Sequence, residues 1–575
     1  MKRKLFAPAI FKENLKRFWS IAFVGFIICY LSGPINIVQK HGYLYTGNVE
    51  MILKNFNFGY AFYSAAVPCI AALAVFSYLH KNSSVLAVHS MPYTRKSLFV
   101  SNYLSGLIIS VIPVLATALL LAVFKQPTCG GVNEAGQEIW QYNVYTFKAI
   151  GLWLAMLLIV IVFIYSLCVL AAMLTGNVVL QLLTSAGLNL IVPAMYFIFA
   201  CYADNFLDGY NTGMDLKVFE YLHPAFWLAE GAAGFLAADK ALLWTLLFIA
   251  IALIISFVSY KVYEIRQLER TGDSYVFAPV KWTILVVLVF FGTSAGGLGF
   301  SYDFGFMAYV IGFVITFVVA MMILSGSFRF SLKKSIIPAA VCIASVVIAI
   351  AGFSFDILGL EKYVPNASKV ASIDFYGAET NRMNTLEITD RDEIALIIEI
   401  HKKLIAESGV RSDDMTYVDI NYKMNNGHSI GRSYMLPTEY LRNMEELNRL
   451  YTDYLLDDIR TMFDGVNPAR AFGELALTNP GTDMYISIDI AELTTKQKAD
   501  LLDAIVQDYA KDSYTKYVEA ASQPELGSVY LYGIKSPRWD GNFAIRESYP
   551  NLLKIAEEYI DEYYRPGYEP GYEKY

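Results

Sequence analysis

The pattern of apolar positions divides the chain at about residue 355. Before that point, apolar runs of roughly 20 residues without Asp, Glu, Lys or Arg recur, and each is long enough to cross the hydrocarbon core of a bilayer. Nine such runs are predicted to be transmembrane helices: 19–38, 60–79, 104–124, 149–174, 178–203, 241–260, 282–300, 306–325 and 336–355. A further apolar stretch, 224–238, is too short to cross and is expected to enter the outer leaflet and return.

From residue 356 onward the pattern changes to that of strands and amphipathic helices. A strand at 370–376, a capping box of Asp390 with Glu393 and a hairpin at Asn425-Asn426-Gly427 predict an α+β domain. The predicted order then recurs, and the residues after Arg432 faintly match those after Arg546. We therefore expect a duplicated β-α-β-β-α unit, built from these predicted elements: strands 370–376, 417–424, 428–435, 484–490, 528–534 and 543–547, and helices 394–407, 439–454, 496–509 and 552–563.

These patterns predict five regions. Residues 1–18 alternate cations with apolar residues, as an amphipathic segment lying in the inner membrane interface does. Residues 19–260 form a six-helix core, and residues 261–355 add three transmembrane helices. Residues 356–562 form the α+β domain, and residues 563–575 form a flexible Tyr/Pro/Gly tail. The predicted fold class is thus a membrane α-helical bundle of about nine transmembrane helices followed by an extracellular α+β domain.

Charge sets the predicted orientation. The 575 residues are 56% hydrophobic, too apolar for an ordinary soluble protein, and residues 1–355 carry a net charge of +8 against −15 for residues 356–575. In the nine-helix topology, the segments on the side of the N-terminus hold 16 Lys and Arg, whereas those on the opposite side hold 6. The positive-inside rule therefore places the N-terminus in the cytoplasm and the C-terminal domain outside the cell. An acidic domain also disfavours nucleic acid as a partner.

The loop between the second and third apolar runs carries Lys81, Arg95 and Lys96 and no acidic residue. We expect a short helix at 83–88, a break at Met91-Pro92 and a second helix that Thr94 caps. The stretch from Ser90 to Phe99, SMPYTRKSLF, followed by YLSGL, resembles the first cytoplasmic loop of type-2 ABC transporter permeases. The resemblance covers about the first half of the chain. More narrowly, the stretch resembles that of multispan Gram-positive bacterial exporter subunits that have an extra C-terminal domain.

The resemblance implies an exporter permease of the bacterial plasma membrane. The apolar helices themselves suggest a hydrophobic or amphipathic cargo, such as an antibiotic peptide or a lipid. ATP and Mg²⁺ would bind a separate ABC ATPase, and a second permease, identical or different, would complete the transporter within the lipid bilayer. It also implies that residues 1–18 are the cytoplasmic elbow and that residues 19–260 are the permease core. The loop would be the coupling element that contacts the ATPase, through His89, Ser90, Met91, Pro92, Arg95 and Lys96. A second, smaller contact would be formed by Thr175, Gly176 and Asn177.

The fifth apolar run carries a polar stripe, Gln181, Thr184, Ser185 and Asn189, at helical spacing. Two interpretations stay open. The stripe lines a translocation path or a dimer seam, or it supplies interhelical hydrogen bonds within one bundle.

The sequence has no nucleotide-binding or zinc-protease motif. There is no GxxxxGK[ST] or HExxH, and the six histidines lack ligand spacing, so we expect no catalytic residue, no metal site and no directly bound cofactor. His401 is expected at the surface of its helix, and the cysteines are expected to be small packing residues. The alternative function is a membrane sensor whose outer domain binds a ligand and signals through the cytoplasmic loops. An intramembrane enzyme is disfavoured because the apolar runs hold no acid, His or nucleophile constellation.

Overall fold

The computed structural model describes the following residues: 6–39, 44–132, 138–211, 216–229, 241–325, 332–377, 386–410, 412, 414–450, 462–463, 466–478, 485–509, 520, 523–532 and 541–563. The chain divides into two compact units. A helical unit comprises Met1–Cys201 and Met214–Ala351, and a C-terminal unit comprises Tyr202–Gly213 and Gly352–Tyr575.

Long helices form the first part of the chain. Over the described residues they are α1 (Pro8–Leu31), α2 (Pro34–Gln39), α3 (Thr46–Leu53), α4 (Phe58–Phe76), α5 (Asn82–His89), α6 (Arg95–Val123), α7 (Phe147–Leu174), α8 (Val178–Phe206), α9 (Leu216–Leu222), α10 (Ala241–Ile265), α11 (Ala278–Phe304), α12 (Phe306–Ser325) and α13 (Leu332–Ser354). Among these described residues, nine helical segments are long and apolar enough to cross a membrane. Each coincides with one predicted run, so the nine apolar helices are confirmed.

The first apolar run differs from its prediction at both ends. The backbone of α1 leaves helical geometry at Phe18 (φ −112°, ψ 15°), where the predicted amphipathic segment meets the predicted span. The helix then ends at Leu31 instead of continuing to residue 38, because Pro34 has no N–H to extend the hydrogen-bond ladder and begins α2. Between α6 and α7 lies an antiparallel hairpin that the sequence pattern did not predict, β1 (Thr128–Val132) with β2 (Glu138–Gln141).

Two glycines bring α11 and α12 into close contact. A Cβ atom on Gly296 would lie 3.2 Å from the Cα atom of Gly312, so nothing larger than hydrogen separates the two backbones there. One turn away, a Cβ atom on Gly292 would lie 2.2 Å from Cγ2 of Thr316. These small residues form a packing surface between two helices of the bundle.

Two antiparallel sheets form the C-terminal unit. The first has the order β3-β7-β6-β4-β5, and the second has the order β11-β10-β8-β9. Their strands are β3 (Tyr210–Asn211), β4 (Val370–Gly377), β5 (Leu386–Ile388), β6 (Met415–Met424), β7 (Ser429–Pro437), β8 (Gly473–Thr478), β9 (Tyr485–Asp489), β10 (Gly527–Leu531) and β11 (Asn542–Ile545). The helices over the described residues are α14 (Arg391–Glu407), α15 (Thr438–Arg442), α16 (Thr495–Tyr509) and α17 (Pro550–Tyr563).

The two sheets repeat one topology. In the first, β4 lies between β5 and β6, and β7 follows; in the second, β8 lies between β9 and β10, and β11 follows. Each repeat runs strand-strand-helix-strand-strand-helix. The predicted unit lacked one strand of each repeat, since β5 is three residues long and β8 was not recognised. The predicted helix 439–454 is also interrupted, because α15 ends at Arg442; its residues 451–454 lie outside the described part.

His401 is buried in the C-terminal unit, so the prediction that it lies at the surface is wrong. Its Nε2 lies 2.7 Å from the hydroxyl of Tyr434, and its Nδ1 lies 2.9 Å from the hydroxyl of Tyr422. Burial, and secondly the charge of Arg432, lowers the pKa of His401 to about 3. Because a tyrosine hydroxyl can donate or accept, both nitrogens of the neutral ring are satisfied without a charge.

The α11–α12 contact should not tolerate a side chain at Gly296. We expect Gly296→Val to lower the free energy of unfolding by about 1–3 kcal/mol, since the two backbones must separate. Gly299→Val is the matched control, because a Cβ atom there meets nothing within 4 Å. Thermal unfolding in detergent micelles measures both; equal midpoints for the two variants would contradict the assignment.

The C-terminal unit should lose stability in mild acid through His401. Its pKa is about 3 when folded and 6.5 when free, so unfolding takes up a proton as the pH falls below 6.5. Stability should decrease from pH 6.5 toward pH 3 by up to about 1.4 kcal/mol per pH unit. Calorimetry of the full chain should show a weaker pH dependence for His401→Gln, whereas the exposed His428→Gln should keep the wild-type dependence.

Candidate functional site

The loop that resembles a coupling element is a short, well-defined structure. After α4, a 3₁₀ turn covers Ser77–His80, then α5 forms, and Met91-Pro92 interrupts the chain. The hydroxyl of Thr94 accepts a hydrogen bond from the Ser97 N–H at 3.2 Å and caps α6. The predicted helix, break and capped helix are confirmed. The second helix is the start of a 29-residue helix that continues through the third apolar run, so the loop proper is 81–94.

One face of the loop is apolar and exposed. Val85 is 1% exposed and anchors α5, whereas Leu86 on the other side is 69% exposed and Met91 is 41% exposed. We call the exposed set the loop surface; it consists of Leu86, Ala87, Ser90, Met91 and Pro92. An exposed apolar patch on an otherwise anchored element is typical of a protein-binding site.

His89 fastens α5 to the neighbouring helices. Its Nδ1 lies 2.9 Å from the carbonyl oxygen of Val85, and its Nε2 lies 3.1 Å from the hydroxyl of Tyr263 in α10. That hydroxyl is also 3.1 Å from the hydroxyl of Tyr78. Burial lowers the pKa of His89, so the ring is neutral at pH 7. The neutral ring then donates from Nδ1 to the carbonyl and accepts at Nε2 from Tyr263.

Arg95 binds the end of α10. Its Nη1 donates to the carbonyl oxygens of Glu264 at 2.6 Å, Arg266 at 3.1 Å and Tyr263 at 3.4 Å. The last carbonyls of a helix have no partner within the helix and carry a partial negative charge, so a guanidinium stabilises them. The sequence predicted that Arg95 contacts a partner protein, whereas in the structure its guanidinium contacts its own chain. Lys96, next to it, is exposed.

Arg266 occupies the centre of this end of the bundle and is 1% exposed. Its Nη1 donates to the carbonyls of Ala172 (2.9 Å) and Met173 (2.7 Å), and its Nη2 donates to those of Leu79 (3.1 Å) and Thr175 (2.9 Å). Burial lowers the pKa of Arg266 to about 10, so it keeps its charge at pH 7. Within the described residues, neither Arg266 nor Arg95 forms an ion pair with a carboxylate.

Sequence reasoning missed the role of Arg266. It counted this residue only among the charges that set orientation, because an arginine just after an apolar run is usually exposed at the membrane surface. The signal that distinguishes it is the set of four carbonyls from other segments, and that set exists only in the folded chain.

The predicted second contact, Thr175-Gly176-Asn177, is mostly covered. Thr175 and Gly176 are buried beneath the segment 272–276, and a Cβ atom on Gly176 would lie 2.1 Å from the carbonyl oxygen of Asp273. The Asn177 side chain accepts a hydrogen bond from the Leu180 N–H at 2.8 Å and caps α8. Of the three residues only Asn177 is partly exposed, so Thr175 and Gly176 do not offer a surface to a partner.

The polar stripe on α8 is bonded to other segments of the same chain. Gln181 Oε1 lies 2.6 Å from His80 Nε2, and the Thr184 hydroxyl lies 2.9 Å from that of Tyr275. Asn189 Oδ1 lies 3.3 Å from His223 Nε2. These contacts favour the interpretation of the stripe as interhelical hydrogen bonding. Ser185 is buried beside them, and a translocation path or dimer seam along the stripe stays a prediction.

The segment after α9 enters the bundle beside α8. Asn189, the partner of His223, precedes the end of α8 by 17 residues, or about 25 Å along the helix axis at 1.5 Å per residue. The ring of His223 also contacts Phe163 of α7 edge-on, with centroids 5.0 Å apart. The described part of the predicted dip therefore reaches deep into the helical unit; residues 230–238 of that prediction lie outside the described part.

In each unit, described residues line a sizeable cavity next to these elements. In the helical unit, a groove of about 550 Å³ lies between the first turns of α1 and the loop, with Asn14, Arg17 and Tyr93 in its wall. In the C-terminal unit, an open cavity of about 710 Å³ has Asp204 and Asp208 in its wall. The described residues contain no group of His, Cys, Asp and Glu able to hold a metal ion.

No family model, no curated protein and no solved structure matches this chain, so its function has to be proposed from its own residues.

Proposed function

We propose that this chain is the permease subunit of an ABC exporter, in which a separate ATPase subunit binds to the loop surface and drives the movement of a hydrophobic or amphipathic cargo. The observation that carries the proposal is the anchored loop 81–94, whose Leu86 and Met91 are exposed although the rest of the loop is fixed. The proposal also rests on the resemblance of the stretch Ser90–Phe99 to type-2 ABC permeases.

The anchoring argues for a mechanical role. A loop that only connects two transmembrane helices needs no helix of its own, and its charges alone would set orientation. Here Val85 is buried, His89 is bonded to Tyr263, and Arg95 is bonded to the end of α10. A force applied at the loop surface would therefore reach the helices without being lost in a flexible connection.

The charge distribution supports a cytoplasmic position for the loop surface, where the ATPase would bind. Lys81 in the loop and Lys96 just after it are exposed, and residues 81–96 include no acidic residue, so the positive-inside rule assigns the loop to the cytoplasm, where ATP is available. The chain has no phosphate-binding motif, so ATP and Mg²⁺ belong to the separate subunit. A second permease subunit would complete the transporter in the plasma membrane, and the acidic C-terminal unit would face the outside.

One observation favours a second function, ligand sensing by the C-terminal unit. Its open cavity of about 710 Å³ is large enough for a small ligand, and the carboxylates of Asp204 and Asp208 would select a cationic one. Sensing and transport are separable, because only transport requires an ATPase at the loop surface.

The loop surface gives a direct test. We expect the double variant Leu86→Glu with Met91→Glu to lose the ATPase from complexes purified from native membranes, because two charges would be buried in the interface. Loss of affinity should be at least about 30-fold, the effect of removing an interface anchor worth about 2 kcal/mol. Quantitative mass spectrometry of the purified complex measures the ratio of ATPase to permease.

The matched control is Ile139→Glu in β2, which also replaces an exposed apolar side chain by a carboxylate. Ile139 is 47% exposed and is predicted to lie outside the cell. It should leave the ratio unchanged. An unaltered ratio in the double variant, or the absence of any ATPase from the wild-type complex, would contradict the proposed function.

A further inference from the structure

We infer that Arg266 is the positioning residue that passes movement of the loop to the ends of α4 and α7, an inference that rests on the proposed function. Arg266 belongs to neither helix, nor to the loop. Its guanidinium is nevertheless bonded to Leu79, which follows α4, and to Ala172 and Met173 in the last turn of α7.

The first step runs from the loop to α10. The loop reaches the last turn of this helix at two places, through the hydrogen bond between His89 and Tyr263 and through the bonds from Arg95 to the carbonyls of Glu264 and Arg266. Because one bond lies at the end of α5 and the other at the start of α6, the two helices on either side of the Met91-Pro92 break are fixed to the same helix end. The end of α10 must therefore follow a displacement of the loop.

The second step runs from α10 to α4 and α7. Nη1 of Arg266 is directed to α7, and Nη2 is shared between Leu79 and Thr175. The guanidinium is planar and its donors are fixed relative to one another, so the two attachments move together. A lysine has a single nitrogen on a flexible stem and would not hold both segments in one geometry.

The attachment of Arg266 to α7 distinguishes its role from that of the peptide chain. The loop is joined covalently to α4 at one end and to α6 at the other, so these helices follow it in any case. No peptide bond joins the loop to α7, and Arg266 supplies a polar connection between them. The helix also packs along its neighbours through apolar residues such as Leu157 and Val160, so replacing Arg266 need not prevent folding.

The test compares hydrogen exchange in the complete complex, purified from native membranes into lipid nanodiscs, with and without Mg²⁺, ATP and orthovanadate. In the wild type, the trapped nucleotide should change amide exchange both in the loop (82–89) and in the last turn of α7 (171–174). In Arg266→Lys, the change in the loop should remain. The change in α7 should fall at least about tenfold, the factor that loss of one hydrogen bond to a charged group corresponds to.

Arg270→Lys is the matched control, because Arg270 lies in the same segment, is exposed and donates to a single carbonyl, that of Val276, at 3.0 Å. It should behave as the wild type. If Arg266→Lys fails to accumulate, Tyr263→Phe replaces it, since removing one hydroxyl breaks the bond to His89 without changing the packing; the response of α7 should again weaken.

The outcomes separate the two levels of inference. A normal α7 response in Arg266→Lys, or in Tyr263→Phe where Arg266→Lys does not accumulate, overturns the role of Arg266 and leaves the proposed function standing. Loss of the ATPase from Arg266→Lys also overturns it, since the residue would then shape the binding surface. The absence of any nucleotide response in the wild-type loop overturns the proposed function itself.

Discussion

The arrangement of the helix ends depends on a buried positive charge that is balanced by dipoles. Helices that end side by side leave several backbone carbonyls without partners, and in a water-poor interior each unsatisfied group is costly. Arg266 meets four of them with two nitrogens, and Arg95 meets three more. The desolvation of the guanidinium is offset by these charge-assisted bonds, and the carbonyls are satisfied by the same contacts. The positions of α4, α7 and α10 relative to the loop follow from this arrangement.

The C-terminal unit also buries polar side chains. His401 is buried without charge, and two tyrosine hydroxyls satisfy its ring. Arg432, also buried, donates from Nη2 to the carbonyls of Leu360 and Tyr363. Both units thus place an arginine on backbone carbonyls, whereas the surface ion pairs, such as Lys423 with Asp374, contribute little. The hydrogen bonds of these three buried side chains, Arg266, His401 and Arg432, go to backbone carbonyls and to tyrosine hydroxyls.

The sequence was sufficient where a property of consecutive residues decides the structure. Apolar runs of adequate length became helices, Asn425-Asn426-Gly427 became a hairpin, and Thr94 became a cap, because composition or local hydrogen bonding determines each. It was insufficient where distant segments decide. Nothing near Arg266 or His401 in the sequence indicates burial, since the partners of Arg266 are 91 or more positions away and those of His401 are 21 and 33 positions away, on β6 and β7. The prediction of the first repeat missed β5 because a strand of three residues is too short to show a recognisable alternation of apolar and polar positions.

The continuity of α6 has a consequence for how displacement would spread. Arg95 and Val123 belong to one rod of 29 residues, about 43 Å long at 1.5 Å per residue, so a tilt at the loop swings the opposite end in the other direction about a pivot. Pro113 has no N–H to donate to the carbonyl of Ile109, so α6 lacks one backbone hydrogen bond at this turn, which is where the helix pivots most easily. The Tyr63 hydroxyl donates to the carbonyl of Ser110 at 2.5 Å, one turn before that proline, and thereby attaches this turn to α4.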